Sequence, residues 1–96
     1  MDARRSRRPT TPGEILNEEF IKPLGITQKR LADHIGVDVK TINRIVNGHS
    51  SLTPEIAMLL ACAFKTTPLF WLNSQIAVDL FDAEHGLERK PKPLIA

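Results

Sequence analysis

The residues with the most useful chemistry lie between positions 38 and 51, and that chemistry is hydrogen bonding. On a helix turning about 100° per residue, the stretch after Asp38 puts two cations and two amides opposite its isoleucines. Such a face suits the major groove, because Arg or Lys donates to guanine O6 and N7, Asn pairs with adenine, and an apolar group meets a thymine methyl. Recognition helices read bases mainly with their N-terminal part. The predicted base-reading residues are Val39, Lys40, Thr41, Asn43 and Arg44.

The alternative interpretation is that Lys40 and Arg44 are ordinary solvated surface charges.

A second group of polar residues is placed where it could contact phosphates. Gln28 and Lys29 begin the predicted second helix, where backbone N–H groups without partners attract an anion. Four further residues follow the third helix, and each could instead be a helix cap or a loop residue. The predicted phosphate contacts are Gln28, Lys29, Asn47, His49, Ser50 and Ser51.

Two short helices joined by a tight turn must hold these residues in place. A tight corner needs a small residue where the helices approach, which is Ala32, and a residue that tolerates positive φ, which is Gly36. It also needs apolar anchors on its inner side. All these positions fall at the spacing of a DNA-binding helix-turn-helix that starts at Gln28. The anchors are Leu31, Ile35, Val37, Ile42 and Ile45.

Five helices are predicted in total, because Pro and Gly separate five segments with helical periodicity and no useful strand alternation is present. In the first, Thr11 and Glu14 form a capping box and Pro12 suits the first position. Pro23 and Gly25 are predicted to end it. The chain is therefore predicted to be all-α. The later helices are predicted at 27–35, 38–47, 53–65 and 67–84, with caps at Thr27, Asp38, Thr53 and Thr67.

Length and charge divide the chain into three parts. Its 96 residues suffice for one domain, predicted at residues 11–86. Residues 1–10 are predicted to be a flexible basic arm, and residues 87–96 a basic tail. The net charge of +2 is the sum of +3 in the first eight residues, −3 in the body and +2 in the last nine. A mildly acidic body thus has two basic ends that could attract phosphates.

Composition argues against several other classes of protein. No apolar run reaches the roughly 18 residues that cross a bilayer, and no apolar signal segment follows the basic start, so a cytoplasmic protein is expected. The single cysteine, Cys62, allows no internal disulfide and is expected in the core. His34, His49 and His85 have no partners at metal-ligand spacing. No enzyme activity, catalytic residue, metal site or cofactor is predicted.

The fifth helix has more apolar surface than one core-facing side can use. A helix that is apolar nearly all round is either deeply buried or shared with another chain. A subunit interface is predicted, comprising Trp71, Ile76, Val78 and Leu80. The alternative is that Trp71 packs against its own domain. A two-fold dimer would present two recognition helices about 34 Å apart, one turn of DNA.

Together, the motifs resemble those of HigA-type antitoxins of the XRE helix-turn-helix family. The resemblance covers about residues 11–85 and is carried by PGEIL, LGITQKRLADHIGV, TINRIVNG and TPEIAMLLACAF followed by TPLFWLN. It implies a phage-repressor-like fold and a homodimer that binds operator DNA and represses its own operon. It also implies a partner, a HigB-type toxin that is a ribosome-associated mRNA endonuclease. Two features depart from the family pattern: the basic arm is long, and Thr11 replaces a common His.

Two other functions remain open from the sequence. One is a stand-alone XRE-type transcriptional repressor without a toxin. The other is a toxin-holding module whose DNA binding is vestigial. A short basic protein encoded immediately upstream would favour the antitoxin over the stand-alone repressor.

Overall fold

The computed structural model describes residues 7–96 and contains the five predicted helices. No strand occurs in that part of the chain, so the all-α prediction is confirmed. Helix α1 begins with the turn Pro12–Ile15, continues as a π-helix over Leu16–Ile21 and ends with the turn Lys22–Leu24. The other helices are α2 (Gln28–Ile35), α3 (Val39–Val46), α4 (Pro54–Phe64) and α5 (Pro68–Gly86).

The predicted caps are all formed, and they set the helix starts. At α1 the Glu14 N–H donates to Thr11 Oγ1 over 3.1 Å, and the Thr11 N–H donates to Glu14 Oε1 over 3.2 Å. At α3, the Lys40 N–H donates to Asp38 Oδ1 over 2.8 Å. Each such bond satisfies a backbone N–H that has no partner within its helix. Thr27, Thr53 and Thr67 accept in the same way at α2, α4 and α5.

The prediction that Pro23 ends the first helix is wrong. Helix α1 passes through Pro23 to Leu24, and Gly25, at φ 65°, ends it in the left-handed region. The cause is the π-helical stretch, in which the Lys22 N–H donates to the carbonyl of Asn17, five residues back. In a π-helical stretch each carbonyl accepts from the N–H five residues ahead. The missing N–H and the ring of Pro23 therefore destabilise the helix less here than they would in a regular α-helix.

One aliphatic and aromatic core joins all five helices. Each helix contributes one large side chain that is fully buried: Leu16, Leu31, Ile42, Leu60 and Trp71, in chain order. The Trp71 ring lies 5.2 Å from that of Phe20, and its Nε1 donates to Thr66 Oγ1 over 2.8 Å. The indole is therefore packed and has its polar atom satisfied, which is what a buried Trp requires.

This core corrects two of the predicted interface positions. Trp71 is 0% exposed and Val78 is 3% exposed within one protomer, so neither side chain has surface to offer a second chain. Trp71 instead packs against its own domain. The other two predicted positions, Ile76 at 50% and Leu80 at 64%, are exposed. Cys62 is also corrected, because its side chain lies at the surface of α4 and not in the core.

The end of the predicted arm is attached to the domain. Arg8 forms a bidentate ion pair with Asp82 of α5, and Ser74 Oγ donates to the carbonyl of Thr10 over 3.3 Å. Residues 8–10 are therefore held against α5, in contrast to the free arm expected there. The predicted flexibility of residues 1–6 lies outside the described residues. Within residues 7–96, no helix is long and apolar enough to cross a membrane.

Candidate nucleic-acid interface

Helices α2 and α3 form the predicted tight corner. Gly36 ends α2 at φ 79°, and the N–H groups of Gly36 and Val37 both donate to the carbonyl of Ala32, over 2.9 and 3.0 Å. Leu31 and Ala32 of α2, with Ile42 of α3, are buried beneath the corner. The corner therefore directs the opposite side of α3 towards solvent.

Helix α1 fixes the other end of α3. Gly13 lies so close to α3 that a Cβ at this position would overlap the carbonyl oxygen of Ile45 and come within 2.9 Å of Val46 Cα. Only glycine permits this approach of the two backbones. The first turn of α1 is thus a support for the recognition helix.

The outward side of α3 forms a shallow concavity with the start of α2. Four of the five predicted base-reading residues line it, together with Gln28. They are Val39, Lys40, Asn43 and Arg44. Thr41 is half-buried and lies outside this lining. Among residues 7–96, no acidic side chain lines the concavity, so its positive and amide groups have no acidic neighbour in the lining.

A chain of carboxamides crosses this concavity. Asn43 Nδ2 donates to Gln28 Oε1 over 3.2 Å, and Asn47 Nδ2 donates to Asn43 Oδ1 over 3.2 Å. Both ends of the Asn43 carboxamide are therefore held, which orients the side chain before any ligand arrives. The structure places Gln28 beside the predicted base-reading residues, although its sequence position suggested a phosphate contact. No signal in the sequence pairs two residues 15 positions apart across a turn.

Arg44 and Lys40 differ in their surroundings. Arg44 Nε donates to Ser50 Oγ over 2.9 Å, and Arg44 Nη2 donates to the carbonyl of His49 over 3.3 Å. Lys40 forms no ion pair with any residue in 7–96. The Lys40 ammonium therefore has its full charge available to an anion, whereas the Arg44 guanidinium is already directed by the segment that follows α3.

The predicted phosphate residues separate into different places. Lys29 pairs with Asp33 one turn along α2, at 3.3 Å and with both side chains well exposed. Such a pair is weak and screened by salt. Asn47 is exposed at the C-terminal cap of α3. The remaining three residues, His49, Ser50 and Ser51, line a second, polar concavity beside α5.

Acidic groups of α5 also line this second concavity, and cationic or amide groups bind them. Asp82 is paired with Arg8, and Asp79 Oδ1 accepts from Gln75 Nε2 over 2.9 Å. Gln75 Oε1 accepts from the Leu52 N–H over 2.8 Å, so α5 holds the segment after the recognition helix. Sequence reasoning missed this role of Gln75. Among residues 7–96, no group of three or more His, Cys, Asp or Glu could hold a metal ion.

Comparison with known proteins assigns the family. The Helix-turn-helix family model matches residues 18–72. The antitoxin HigA-1 of Vibrio cholerae serotype O1 is 45% identical over 86 residues, which cover 90% of this chain and 81% of that protein. This chain belongs to the HigA-type antitoxins of the helix-turn-helix family. An uncharacterized HTH-type transcriptional regulator of Haemophilus influenzae is 49% identical over 84% of this chain and 76% of its own length.

Solved structures agree with the HigA-type assignment and confirm the predicted fold. The Pseudomonas aeruginosa antitoxin HigA with the higBA promoter has a TM-score of 0.84 and 33% identity, covering 92% of this chain and 100% of that one. The antitoxin GraA in complex with its operator has a TM-score of 0.77 and 37% identity, covering 90% and 95%. These similar proteins are named as antitoxins or as a helix-turn-helix transcriptional regulator.

Proposed function

We propose that this chain is the antitoxin of a type II toxin–antitoxin module. It binds operator DNA as a homodimer, represses its own operon and neutralises a HigB-type mRNA endonuclease. It acts in the cytoplasm, without a cofactor and without catalytic activity of its own. The observation that carries the DNA-binding part is the outward face of α3, which is exposed and free of acidic groups.

The chemistry of that face supports recognition of double-stranded DNA. Lys40 supplies a cation that has no ion pair within residues 7–96, and Asn43 supplies an oriented carboxamide suited to an adenine edge. Val39 is 37% exposed beside them and suits the methyl group of thymine. Two related structures that superimpose on this chain are of proteins with a promoter or an operator. A protein that presents these groups on a rigid corner is suited to the major groove.

Binding to the DNA upstream of its own gene tests this proposal. Changing Lys40 and Arg44 together to Ala should lower specific affinity by about 1–3 kcal/mol per residue, measured by fluorescence anisotropy against a non-operator duplex. The matched control changes Lys22 and Arg89 to Ala, which removes the same charge outside the helix-turn-helix. Equal effects of the two double variants would refute the assigned reading face.

A dimer is proposed through the exposed apolar side of α5. Leu69, Ile76 and Leu80 lie along one side of that helix, at spacings of seven and four residues, and all are at least half exposed. Water contact along such a stripe is unfavourable, so burial against a second copy would stabilise the assembly. Two copies would place two α3 helices on neighbouring major grooves.

The toxin part of the proposal has its own test, since it does not follow from DNA binding. Expression of this chain with the short reading frame immediately upstream should yield a complex with a small basic protein. A chain that binds operator DNA but retains no such partner would be a stand-alone repressor. The similar protein of Haemophilus influenzae is named only as a transcriptional regulator, which supports the stand-alone repressor as a second candidate function.

A further inference from the structure

Arg44 is held by the segment that follows its own helix. The chain reverses at Gly48, which has φ 74°, and the His49 N–H then donates to the Arg44 carbonyl over 2.8 Å. The side chain of Arg44 returns to the same segment, through the bonds to Ser50 Oγ at 2.9 Å and to the His49 carbonyl at 3.3 Å. The segment itself is fixed to α5 through Leu52 and Gln75. The guanidinium is therefore bound to a rigid support.

The two bonds use one particular edge of the guanidinium. Nε and Nη2 lie along the same edge, and both donate to the segment. A guanidinium has about five N–H donors in a fixed plane, so the donors on the Nη1–Nη2 edge remain for a ligand. Arg44 also lines the concavity that contains Lys40 and Asn43. The Nη1–Nη2 edge is thus the part of Arg44 that can contact DNA from the base-reading face.

We propose that Ser50 is a positioning residue that holds Arg44 for reading a guanine, and not a phosphate contact. This inference rests on the proposed DNA-binding function. A bidentate contact to guanine O6 and N7 requires the guanidinium plane to align with the base edge. The bond from Arg44 Nε to Ser50 Oγ sets that plane before binding, so less rotamer freedom is lost when DNA arrives.

The surroundings of Ser50 argue against a direct phosphate contact. Its side chain is half-buried, and its hydroxyl oxygen accepts from Arg44, which leaves only the O–H proton for another partner. The concavity it lines contains the carboxylate of Asp79, which disfavours an anion beside Ser50, and the Arg8 guanidinium that also lines it is already paired with Asp82. Ser74 is a second half-buried serine whose hydroxyl forms one hydrogen bond, to the carbonyl of Thr10, and it lies on α5 outside the helix-turn-helix. Ser74→Ala is therefore the matched control.

The test compares base preferences of full-length variants. Wild type, Ser50→Ala, Ser50→Thr and Ser74→Ala are titrated with the upstream operator duplex, with operators carrying each single base-pair change, and with a non-operator duplex. Wild type should prefer guanine by about tenfold or more at one position of each half-site. Ser50→Ala should reduce that preference to about threefold or less and leave non-operator affinity and salt dependence unchanged. Ser50→Thr keeps a γ-hydroxyl and should behave as wild type, and Ser74→Ala should keep the wild-type base preference.

Arg44→Lys provides a second test that does not depend on the folding of the Ser50 variants. Lysine keeps the charge but not the planar donor pair, so it should lose preference at the same base pair as Ser50→Ala. Loss at a different base pair, or no loss in Ser50→Ala, would overturn the proposal. So would an equal loss on both duplexes in Ser50→Ala, which is the signature of a direct phosphate contact by the hydroxyl. A wild-type protein that does not distinguish the two duplexes would instead refute the proposed function.

Discussion

Arg8 and Asp82 are 74 residues apart in the sequence, yet two parallel hydrogen bonds of 2.9 Å join them. Arg8 Nε and Nη2 donate to the two carboxylate oxygens, the geometry in which Arg binds a carboxylate best. These bonds from Arg8 hold the pKa of Asp82 below its ordinary value. The chain before α1 is thereby attached to the last helix.

We predict that Asp82→Asn loosens this attachment. The amide keeps the shape of the side chain but removes the charge. Limited trypsin digestion should then cut the bond between Arg7 and Arg8 about twofold faster or more, because both partners are half exposed and the pair is only moderately strong. Glu84→Gln, which removes a carboxylate paired with Lys90 on the same helix, is the control. Identical digestion of all three proteins would show that the pair does not restrain the chain.

The same pair has a predictable pH dependence. Because the folded pKa of Asp82 is lowered, the attachment contributes fully above the unfolded pKa, about 3.9, and is lost as pH falls through the folded pKa. The NMR chemical shift of the Arg8 Nε–H group, which donates to Asp82 Oδ1, should therefore be constant from neutral pH to about pH 5 and change below about pH 4. The change should be absent in Asp82→Asn.

The basic arm is predicted to add sequence-independent attraction to DNA. Changing Arg4, Arg5 and Arg7 to Gln keeps the length of the arm and removes three charges. If these groups contact phosphates, the slope of log affinity against log salt should fall by about two to three units, since each contact contributes about 0.9. The preference for operator over non-operator duplex should change little. An unchanged slope would mean that the arm is merely solvated.

Gly13→Ala should disturb the packing of α1 against α3, the proposed recognition helix. The new methyl group would overlap the Ile45 carbonyl, so α1 and α3 must separate. We expect a loss of about 1–3 kcal/mol in the free energy of unfolding, measured by urea denaturation, together with weaker operator binding. Gly86→Ala is the control, because its Cβ would meet no atom within 4 Å. Equal stability of the two variants would contradict the close approach.

The exposed side of α5 gives a prediction about assembly. Ile76→Glu combined with Leu80→Glu should convert the dimer to a monomer in sedimentation velocity, because two charges cannot be buried unpaired in an interface. The fluorescence of Trp71, the only tryptophan, should be unchanged, since that ring is buried within each protomer. A large shift in its emission on dissociation would place Trp71 at the interface after all.

The helices and the turn could be predicted because their signals are local. A Thr or Asp cap, a Pro at the first position and a Gly after the last turn lie within a few residues of the structure they determine. The prediction at Pro23 was wrong because the π-helical stretch before it has no such local signal. The π-helical stretch before Pro23 has both Leu16 and Ile21 buried in the core, an arrangement that a local pattern of residue types does not indicate.

Long-range arrangements were predicted less well. Periodicity indicated that α5 is apolar on several sides, but not that the side with Trp71 is covered by Phe20 and Phe64. The composition of the α3 face was predictable, whereas the bond from Arg44 to Ser50 depends on how the segment after Gly48 reverses. Such pairings arise from tertiary structure, where residue type alone allows several partners.

The π-helical stretch of α1 also affects how this helix should be aligned with those of related chains. Leu16 and Ile21 are both buried, although five positions lie about 140° apart around a regular α-helix. The stretch therefore accommodates one residue more than an uninterrupted helix would need between the same two contacts. A relative with one residue fewer here can keep Gly13 against α3 and Phe20 against Trp71 with a plain α-helix. A one-residue gap inside α1 in a sequence alignment then reflects a change from π-helix to α-helix, and the residues at both ends of the helix still correspond.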